Sequence, residues 1–298
     1  MTAVKTLRSA AAALGEVARR RWPVARRVPP LHALIEGAAR VGYGARGFVY
    51  LSAGALTLLA AMDRIGGAVG SSGAAGWLAE QPFGRVWLML LGCGLWAFVL
   101  WRVVQAVFDA DNEGSDLKGW ATRIGQGLSA LFYGLLASTV FEYLDEAGGG
   151  EGDAAENQQK AAEVLALPFG ELLLIGVGLV ILGVGIGNIV RAFREDFAHE
   201  LSCSAQVCRR VTPLARAGYA ARGFAYLPLA VFVILAGLHA KAREVTDFGG
   251  ALDALESQPG GSWMLGLTAV GLMAFGAFAF VEARWRRIRP PRDLNPLN

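Results

Sequence analysis

The chain has 298 residues, of which 54% are hydrophobic and 18% charged, with a formal net charge of +3 and a mean hydropathy of +0.41. Soluble domains carry about 25% charged residues and fewer apolar ones. The composition therefore excludes a disordered protein, a coiled coil and an ordinary soluble enzyme, and the small net charge gives no reason to expect nucleic-acid binding.

Six apolar stretches approach the length of about 20 residues that is needed to cross a bilayer. Charged residues fall mainly at their ends, which is typical of membrane helices. The predicted spans are 43–62, 85–107, 124–143, 168–190, 219–240 and 262–283.

The distribution of Lys and Arg predicts the orientation of these spans. If both termini lie on the same side, that side holds 23 of the 28 basic residues. Because basic residues accumulate on the cytoplasmic side of membrane proteins, we expect both termini in the cytoplasm. A basic cytoplasmic arm over 1–37 and a disordered tail over 288–298 complete this prediction.

A sequence motif occurs three times along the chain. It reads R-V-G-Y-G-A-R-G-F-V-Y at 40–50, R-A-G-Y-A-A-R-G-F-A-Y at 216–226 and, in degraded form, R-I-G-Q-G-L-S-A-L-F-Y at 123–133. In the degraded copy, Gln126 replaces the first tyrosine and Ser129 replaces the second arginine. Repetition at this spacing indicates a tandem architecture.

A second motif opens each even-numbered span. It reads Q-P-F-G at 81–84, L-P-F-G at 167–170 and Q-P-G-G at 258–261. Proline suits the first turn of a helix, so we expect each of these prolines to start a span.

The two motifs together predict an all-α fold. It is a polytopic membrane bundle of six transmembrane helices, built as three tandem two-helix repeats. The repeats are predicted over 38–110, 121–195 and 214–287.

The motifs resemble those of a bacterial membrane family catalogued as domain of unknown function 1206. The resemblance rests on the A-R-x-G-Y-x-A-R-G-x-x-Y opening, on Q-P-F-G-R at 81–85 and on the W-R pair Trp101–Arg102, and it covers roughly 38–287. It implies three two-helix repeats and a multi-pass protein of the bacterial cytoplasmic (inner) membrane. It implies no activity.

The repeated Arg and Tyr positions are the best candidates for a binding site. Tyr43, Arg46 and Tyr50 lie at i, i+3 and i+7, so they share one helix face. Arginine supplies a planar fork of donors for phosphate or carboxylate, and tyrosine hydroxyls add further donors. The predicted ligand-binding residues, which we call the Arg/Tyr layer, are Arg46, Arg222, Tyr43, Tyr219, Tyr50, Tyr133, Tyr226, Ser129 and Glu282.

The same residues also have a purely structural interpretation. The arginines could extend to lipid headgroups and fix the topology, with the tyrosines forming an interfacial belt. Because an unpaired acid inside a membrane is costly, Glu282 is expected to pair with Arg46 or Arg222. Gln105 and Arg191 stand at the same place in their spans as Glu282, facing the arginines.

Other chemistry is not predicted. His199, Cys203 and Cys208 do not have a standard zinc spacing and are interpreted as solvated loop residues. An odd count of three cysteines gives no disulfide framework. We expect no metal site, no cofactor and no catalytic residues.

The sequence thus leaves two non-enzymatic functions open. In the first, the protein binds or passes a small anion or an anionic lipid headgroup through the Arg/Tyr layer. In the second, it is a scaffold or accessory subunit in which that layer is structural. The first predicts a polar cavity between repeats, and the second a filled core with every arginine paired. The expected partners are the bilayer and anionic lipids at its cytoplasmic face, with any protein partner or oligomer open.

Overall fold

The computed structural model of the protein describes residues 31–65, 67–145 and 153–289. Within these ranges the regular structure is helical, apart from one antiparallel bridge between Leu201 and Arg286. The described residues from Ile35 onward belong to one compact unit. The α-helices are α1 (Leu31–Ala61), α2 (Ser71–Ala79), α3 (Gly84–Phe108), α4 (Leu117–Asp145), α5 (Asp153–Leu165), α6 (Gly170–Arg194), α7 (Phe197–Glu200), α8 (Ala205–His239), α9 (Phe248–Glu256) and α10 (Gly261–Trp285).

Six helices, α1, α3, α4, α6, α8 and α10, are long and apolar enough to cross a membrane. The prediction of an all-helical, multi-pass membrane protein is therefore confirmed. Several helices extend beyond the predicted spans: α8 has 35 residues, whereas the apolar pattern indicates 219–240. Hydropathy reports the part of a helix inside the bilayer, and the helix itself continues into the polar region beyond it.

The predicted terminal segments fall largely outside the described residues. The basic arm over 1–37 is described only from residue 31, where it already belongs to α1. The tail over 288–298 is described only at Ile288 and Arg289, which are not helical.

Each repeat contains a short helix between its two spans, so the two-helix description is incomplete. These short helices are α2, α5 and α9, and each interacts with the following repeat. Gly76 of α2 faces Tyr143 of α4, and Gln158 of α5 donates to the Val245 carbonyl at 3.3 Å. Asp253 of α9 accepts from the Ala68 amide at 2.5 Å. The short helices therefore link the three repeats cyclically at one end of the bundle.

The Q-P-F-G motif forms a corner between each short helix and the span that follows. Phe83 and Phe169 both have φ of 63°, and Gly260 has φ of 77°. A Cβ at Gly84 would lie 2.1 Å from the Ala79 carbonyl oxygen, so only glycine fits there. The expectation that the proline starts the span was wrong: Pro82 precedes α3, which begins at Gly84, because a left-handed residue must first turn the chain.

Close glycine contacts define how the spans pack in the first and third repeats. A Cβ at Gly42 of α1 would lie 2.5 Å from the backbone nitrogen of Phe98 in α3. At the equivalent position of α8, a Cβ at Gly218 would lie 2.6 Å from the backbone nitrogen of Phe275 in α10. In both repeats the two spans therefore touch backbone to backbone.

Contacts between repeats follow one direction. Helix α3 packs on α4 of the second repeat, α6 packs on α8 of the third, and α10 packs on α8 and also on α1. The contact between α10 and α1 is made at Gly276, where a Cβ would lie 2.5 Å from the Leu51 nitrogen. The order of neighbours is therefore α4, α3, α1, α10, α8, α6.

The middle repeat leaves this series of contacts open. Gly125 of α4 is equivalent to Gly42 and Gly218, yet a Cβ there would meet nothing within 4 Å. Helices α4 and α6 share no extensive contact along their described lengths. Only 33% and 22% of their most apolar windows are buried, against 44–50% in the other four spans. We call the gap between these helices the lateral opening; its flanking residues are Gly125, Ser129, Val184 and Asn188.

The interpretation of two cysteines was wrong: Cys203 lies in the loop before α8, and Cys208 lies in the first turns of α8. Cys203 and Cys208 form a disulfide, with Cα atoms 5.7 Å apart, and Cys208 is buried. They are therefore not solvated loop thiols. The odd number of cysteines was a poor guide, because a protein with three cysteines can still form one disulfide between two that are close in sequence. Cys93 is the free cysteine of the described part.

Candidate functional site

One tyrosine from each repeat contributes to a common cluster. Tyr50 Oη lies 3.5 Å from Tyr226 Oη, and Tyr133 is close enough to interact electrostatically with Tyr50. All three side chains are buried, with exposures of 3%, 4% and 0%. The Tyr133 hydroxyl has no hydrogen-bond partner of acceptable geometry in the described part of the chain. Repeat equivalence thus brings these three predicted residues together.

Tyr43 and Tyr219 lie in the same aromatic core and are linked to the cluster by two phenylalanines. Phe98 and Phe275 occupy equivalent places in α3 and α10, and each packs edge-on against a tyrosine of its own repeat and one of the next. Such edge-to-face pairs add to the stability that burial provides. The four ring pairs are Phe98–Tyr43 at 5.2 Å, Phe98–Tyr133 at 4.8 Å, Phe275–Tyr219 at 5.0 Å and Phe275–Tyr50 at 4.8 Å between centroids.

Arg46 is paired with a carboxylate. Its Nη2 donates to Oε2 of Glu282 in α10, and both side chains are only 1% exposed. The guanidinium also lies 4.9 Å from the centroid of the Phe275 ring. Of the two partners that the sequence allows for Glu282, the structure selects Arg46, and this half of the layer is a buried ion pair.

The ion pair continues into a charged network, which we call the charged end. Its centre is Arg286, whose Nη1 donates to Glu200 at 2.6 Å and to Glu282 at 2.8 Å, while Nη2 donates to Asp111 at 3.3 Å. Arg191 donates to Glu200 at 2.8 Å, and Gln105 donates to Asp111 at 2.5 Å. The three equivalent positions Gln105, Arg191 and Glu282 thus join one network.

A cleft of about 380 Å³ opens at the charged end and is lined by Asp111, Glu113, Glu200 and Arg286, among others. Burial raises the pKa of Glu200, but the Arg286 and Arg191 guanidiniums outweigh burial and lower this pKa to about 2. The pKa of Glu113 is raised, because burial and the neighbouring Asp111 and Glu200 charges disfavour its ionised form. The carboxylates of the charged end are therefore partly committed to arginine partners.

Arg222, the equivalent of Arg46, has a different environment. Its Nε donates to Tyr50 Oη at 3.0 Å and its Nη2 donates to Tyr226 Oη at 3.2 Å. Its Nη1 lies 3.5 Å from Asn188 Oδ1 in α6, and the Phe275 centroid is 4.8 Å away. No carboxylate among the described residues pairs with Arg222, and its side chain is half-buried rather than enclosed.

The comparisons with known proteins agree with this architecture. A family model described as Domain of Unknown Function (DUF1206) matches the chain three times, over 41–109, 124–195 and 217–286. The chain belongs to the DUF1206 family. It is 31% identical over 254 residues, covering 84% of this chain and 90% of the relative, to a protein of Bacillus subtilis (strain 168) named "Uncharacterized protein YxxB". No solved structure matches.

The middle DUF1206 repeat of this chain differs from the other two within the Arg/Tyr layer. Ser129, the middle-repeat counterpart of Arg46 and Arg222, is half-buried and has no side-chain partner among the described residues. Gln126, the counterpart of Tyr43 and Tyr219, is 6% exposed, and its Oε1 has no hydrogen-bond partner in the part of the chain that the structure describes. The middle repeat therefore contributes polar groups and no charge to the layer.

Several contributors were missed from the sequence. Asp111, Glu200 and Arg286 all hold charged-end residues, but their partners are far away along the chain. Asn188 was recognised from the sequence as a polar residue deep in its span, without its partner Arg222. One signal was available for Arg286: the W-R pair at Trp101–Arg102 recurs at 285–286.

Proposed function

We propose that this protein binds an oxyanion, in the form of a phosphate or carboxylate group, at Arg222 and the three tyrosines around it. The observation that carries the proposal is a guanidinium inside a membrane bundle with no carboxylate partner in the described chain. A cation in a membrane interior is costly unless a counter-charge or polar groups compensate it. Neutral hydroxyl and amide oxygens compensate Arg222 only partly.

The hydrogen-bond inventory of the cluster points to the same ligand. Guanidinium carries five N–H protons, and three of them are directed at Tyr50, Tyr226 and Asn188. The other two guanidinium protons are directed at no acceptor among the described residues. The Tyr133 hydroxyl, which lies beside Tyr50, forms no hydrogen bond of good geometry there. A cluster with spare donors and few spare acceptors favours an anionic oxygen ligand.

The depth of Arg222 suits a lipid phosphate or a solute that enters from one face. Its partner Asn188 lies six residues before the end of α6, which is about 9 Å along a helix axis. The distribution of Lys and Arg supports a cytoplasmic charged end. We accordingly propose that the protein lies in the bacterial cytoplasmic membrane, with both termini in the cytoplasm and anionic lipids at that face.

The structural alternative applies to the other half of the layer. Arg46 is enclosed and paired with Glu282, so we assign it to holding the bundle together. A role without catalysis is part of the proposal, because the acids and bases of the charged end are engaged with each other in ion pairs.

Thermal unfolding of the purified protein in a zwitterionic detergent tests the proposal. The probes are inorganic phosphate and short-chain phosphatidylglycerol, with short-chain phosphatidylcholine as the uncharged reference. A ligand present at ten times its Kd stabilises the folded state by about 1.4 kcal/mol, which raises Tm measurably. At least one anionic probe should raise Tm in the wild type and fail to do so in Arg222→Gln.

Arg216→Gln is the matched control. Arg216 is exposed on the same helix as Arg222, so its replacement removes the same charge without touching the cluster. Equal Tm shifts in the wild type and Arg222→Gln, or no shift with any anionic probe, would refute anion binding at this site.

A further inference from the structure

We infer that the ligand of the Arg222 cluster is the headgroup of an anionic diacyl phospholipid, which enters sideways from the bilayer through the lateral opening between α4 and α6. This inference rests on the proposed function and adds the ligand's class and its route. It follows from three features of the middle repeat, the first of which the other two repeats lack.

The first feature is a pair of replacements that separates the two helices. In α3 and α10, Phe98 and Phe275 press their backbones against a glycine of the partner span. Val184 takes this place in α6, and its would-be partner Gly125 is exposed, with room for a side chain. The surface that closes the other two repeats is therefore accessible from the side.

The second feature is the chemistry along the opening. Its outer rim on α4 is apolar, with Ile124, Leu131 and Leu135 about 60% exposed, and such a rim suits acyl chains. Further in lie the polar Ser129 and Asn188, and then the half-buried Arg222 bonded to Asn188. An apolar rim leading to a cation matches a molecule with acyl chains and an anionic head.

The third feature is the set of buried polar atoms without partners. Tyr133 Oη and Gln126 Oε1 both belong to α4, are at least 94% buried by residue, and have no hydrogen-bond partner among the described residues. Buried polar groups are rarely left unpaired. The Tyr133 hydroxyl, near Arg222, suits a phosphodiester, and the Gln126 amide, two turns away along α4, suits a hydroxyl-bearing headgroup.

The position along the helices selects a lipid of one leaflet. Helix α6 has 25 residues and is about 37 Å long, against a hydrocarbon core of about 30 Å. With the helix centred in that core, Asn188, about 9 Å from the Arg194 end, lies about 5 Å below the headgroup boundary on that side. A free anion would reach the cluster from the water at the charged end. It would not enter through the lateral opening, because the opening faces acyl chains, in which an ion is costly.

Filling the lateral opening tests the route separately from the binding site. Gly125→Trp places a bulky side chain where a Cβ meets nothing within 4 Å. Gly134→Trp is the matched control, because Gly134 is also free of neighbours but lies nine residues further along α4, which is half a turn away in azimuth. Val184→Trp fills the opening from α6 and serves if Gly125→Trp does not fold, as judged by size-exclusion elution and helicity.

Native mass spectrometry of the proteins released from nanodiscs that contain phosphatidylglycerol and phosphatidylcholine measures bound lipid. We expect one phosphatidylglycerol on the wild type and on Gly134→Trp, and at least a tenfold lower occupancy on Gly125→Trp, Val184→Trp and Arg222→Gln. The Tm shift with inorganic phosphate should persist in Gly125→Trp, because that variant leaves the cluster intact.

The outcomes separate the two proposals. Phosphatidylglycerol that is retained by Gly125→Trp and Val184→Trp but lost by Arg222→Gln overturns the lateral route and leaves anion binding standing. A response to inorganic phosphate without retained phosphatidylglycerol overturns the lipid as ligand and favours a free anion. Equal lipid occupancy in the wild type and Arg222→Gln overturns the proposed function itself.

Discussion

Replacing the Arg46–Glu282 pair should produce a large and asymmetric loss of stability. Glu282 accepts from both Arg46 and Arg286, so Glu282→Leu leaves a buried guanidinium without its counter-charge. Breaking a buried pair in this way costs about 3–5 kcal/mol. Arg46→Met leaves Glu282 with Arg286 at 2.8 Å, so we expect a smaller loss of about 2 kcal/mol, the value of a hydrogen bond to a charged group.

The double variant gives the coupling between the two residues. Replacing both members of a buried pair by apolar side chains avoids the unpaired charge. We expect a loss of about 4 kcal/mol instead of the roughly 6 kcal/mol that independent effects would give, which is a coupling of about 2 kcal/mol. The measurement is the free energy of unfolding from denaturant titration in mixed micelles, followed by tryptophan fluorescence.

Glu36→Gln provides the exposed reference for this cycle. Glu36 pairs with Arg40 one turn away, with side-chain exposures of 42% and 33%, and such pairs contribute less than about 1 kcal/mol. Additive losses in the double variant, or a Glu282→Leu loss no larger than that of Glu36→Gln, would show that the buried pair does not hold the bundle together.

Three further predictions concern packing, charge and the disulfide. Gly42→Ala should lower Tm, because its Cβ would meet the Phe98 backbone, while Gly125→Ala at the equivalent open position should leave Tm unchanged or raise it; the reverse order would contradict the open middle repeat. The pKa of Glu200 is about 2, below the ordinary value of about 4.3, so its ionised form stabilises the fold above that ordinary value and this contribution is lost as the pH falls through about 2. Glu200→Gln should accordingly be less stable than the wild type at neutral pH, with a difference that shrinks as the pH approaches 2; a difference independent of pH would argue against the pairing. Replacing Cys203 and Cys208 by serine should cost about 2 kcal/mol of stability under oxidising conditions, and adding a reductant to the wild type should produce the same loss, while unchanged stability in both would show that the disulfide does not form.

The spans and the repeats could be predicted because each depends on a pattern within a short stretch of sequence. Apolar runs of bilayer length and the copied motifs at 40–50 and 216–226 need no knowledge of tertiary contacts. The short helices could not be predicted in this way. Helix α2, for example, is Ser-, Gly- and Ala-rich and only nine residues long, and it is held by contacts with neighbouring segments.

The sequence predicts which residues belong to the candidate site, but it does not predict how they pair. The repeat identifies Arg46 and Arg222 as equivalent, but their difference depends on where Glu282 lies in space, 236 residues from Arg46 along the chain. The same holds for Asp111, which meets Arg286 across 175 residues. Pairings at such separations follow from packing, which a single sequence does not encode in any local pattern.

The covalent connection of the three repeats has a consequence for symmetry. If the same two-span unit assembled as three separate copies, any change in its sequence would occur three times around the assembly. Joining the copies in one polypeptide allows one repeat, or sector, to change by itself. The middle sector has Ser129 where the other two keep an arginine, and Val184 where they keep a phenylalanine. Two sectors can then supply rigidity while the third departs from the pattern, and the stoichiometry of anything bound in the third is fixed at one per chain.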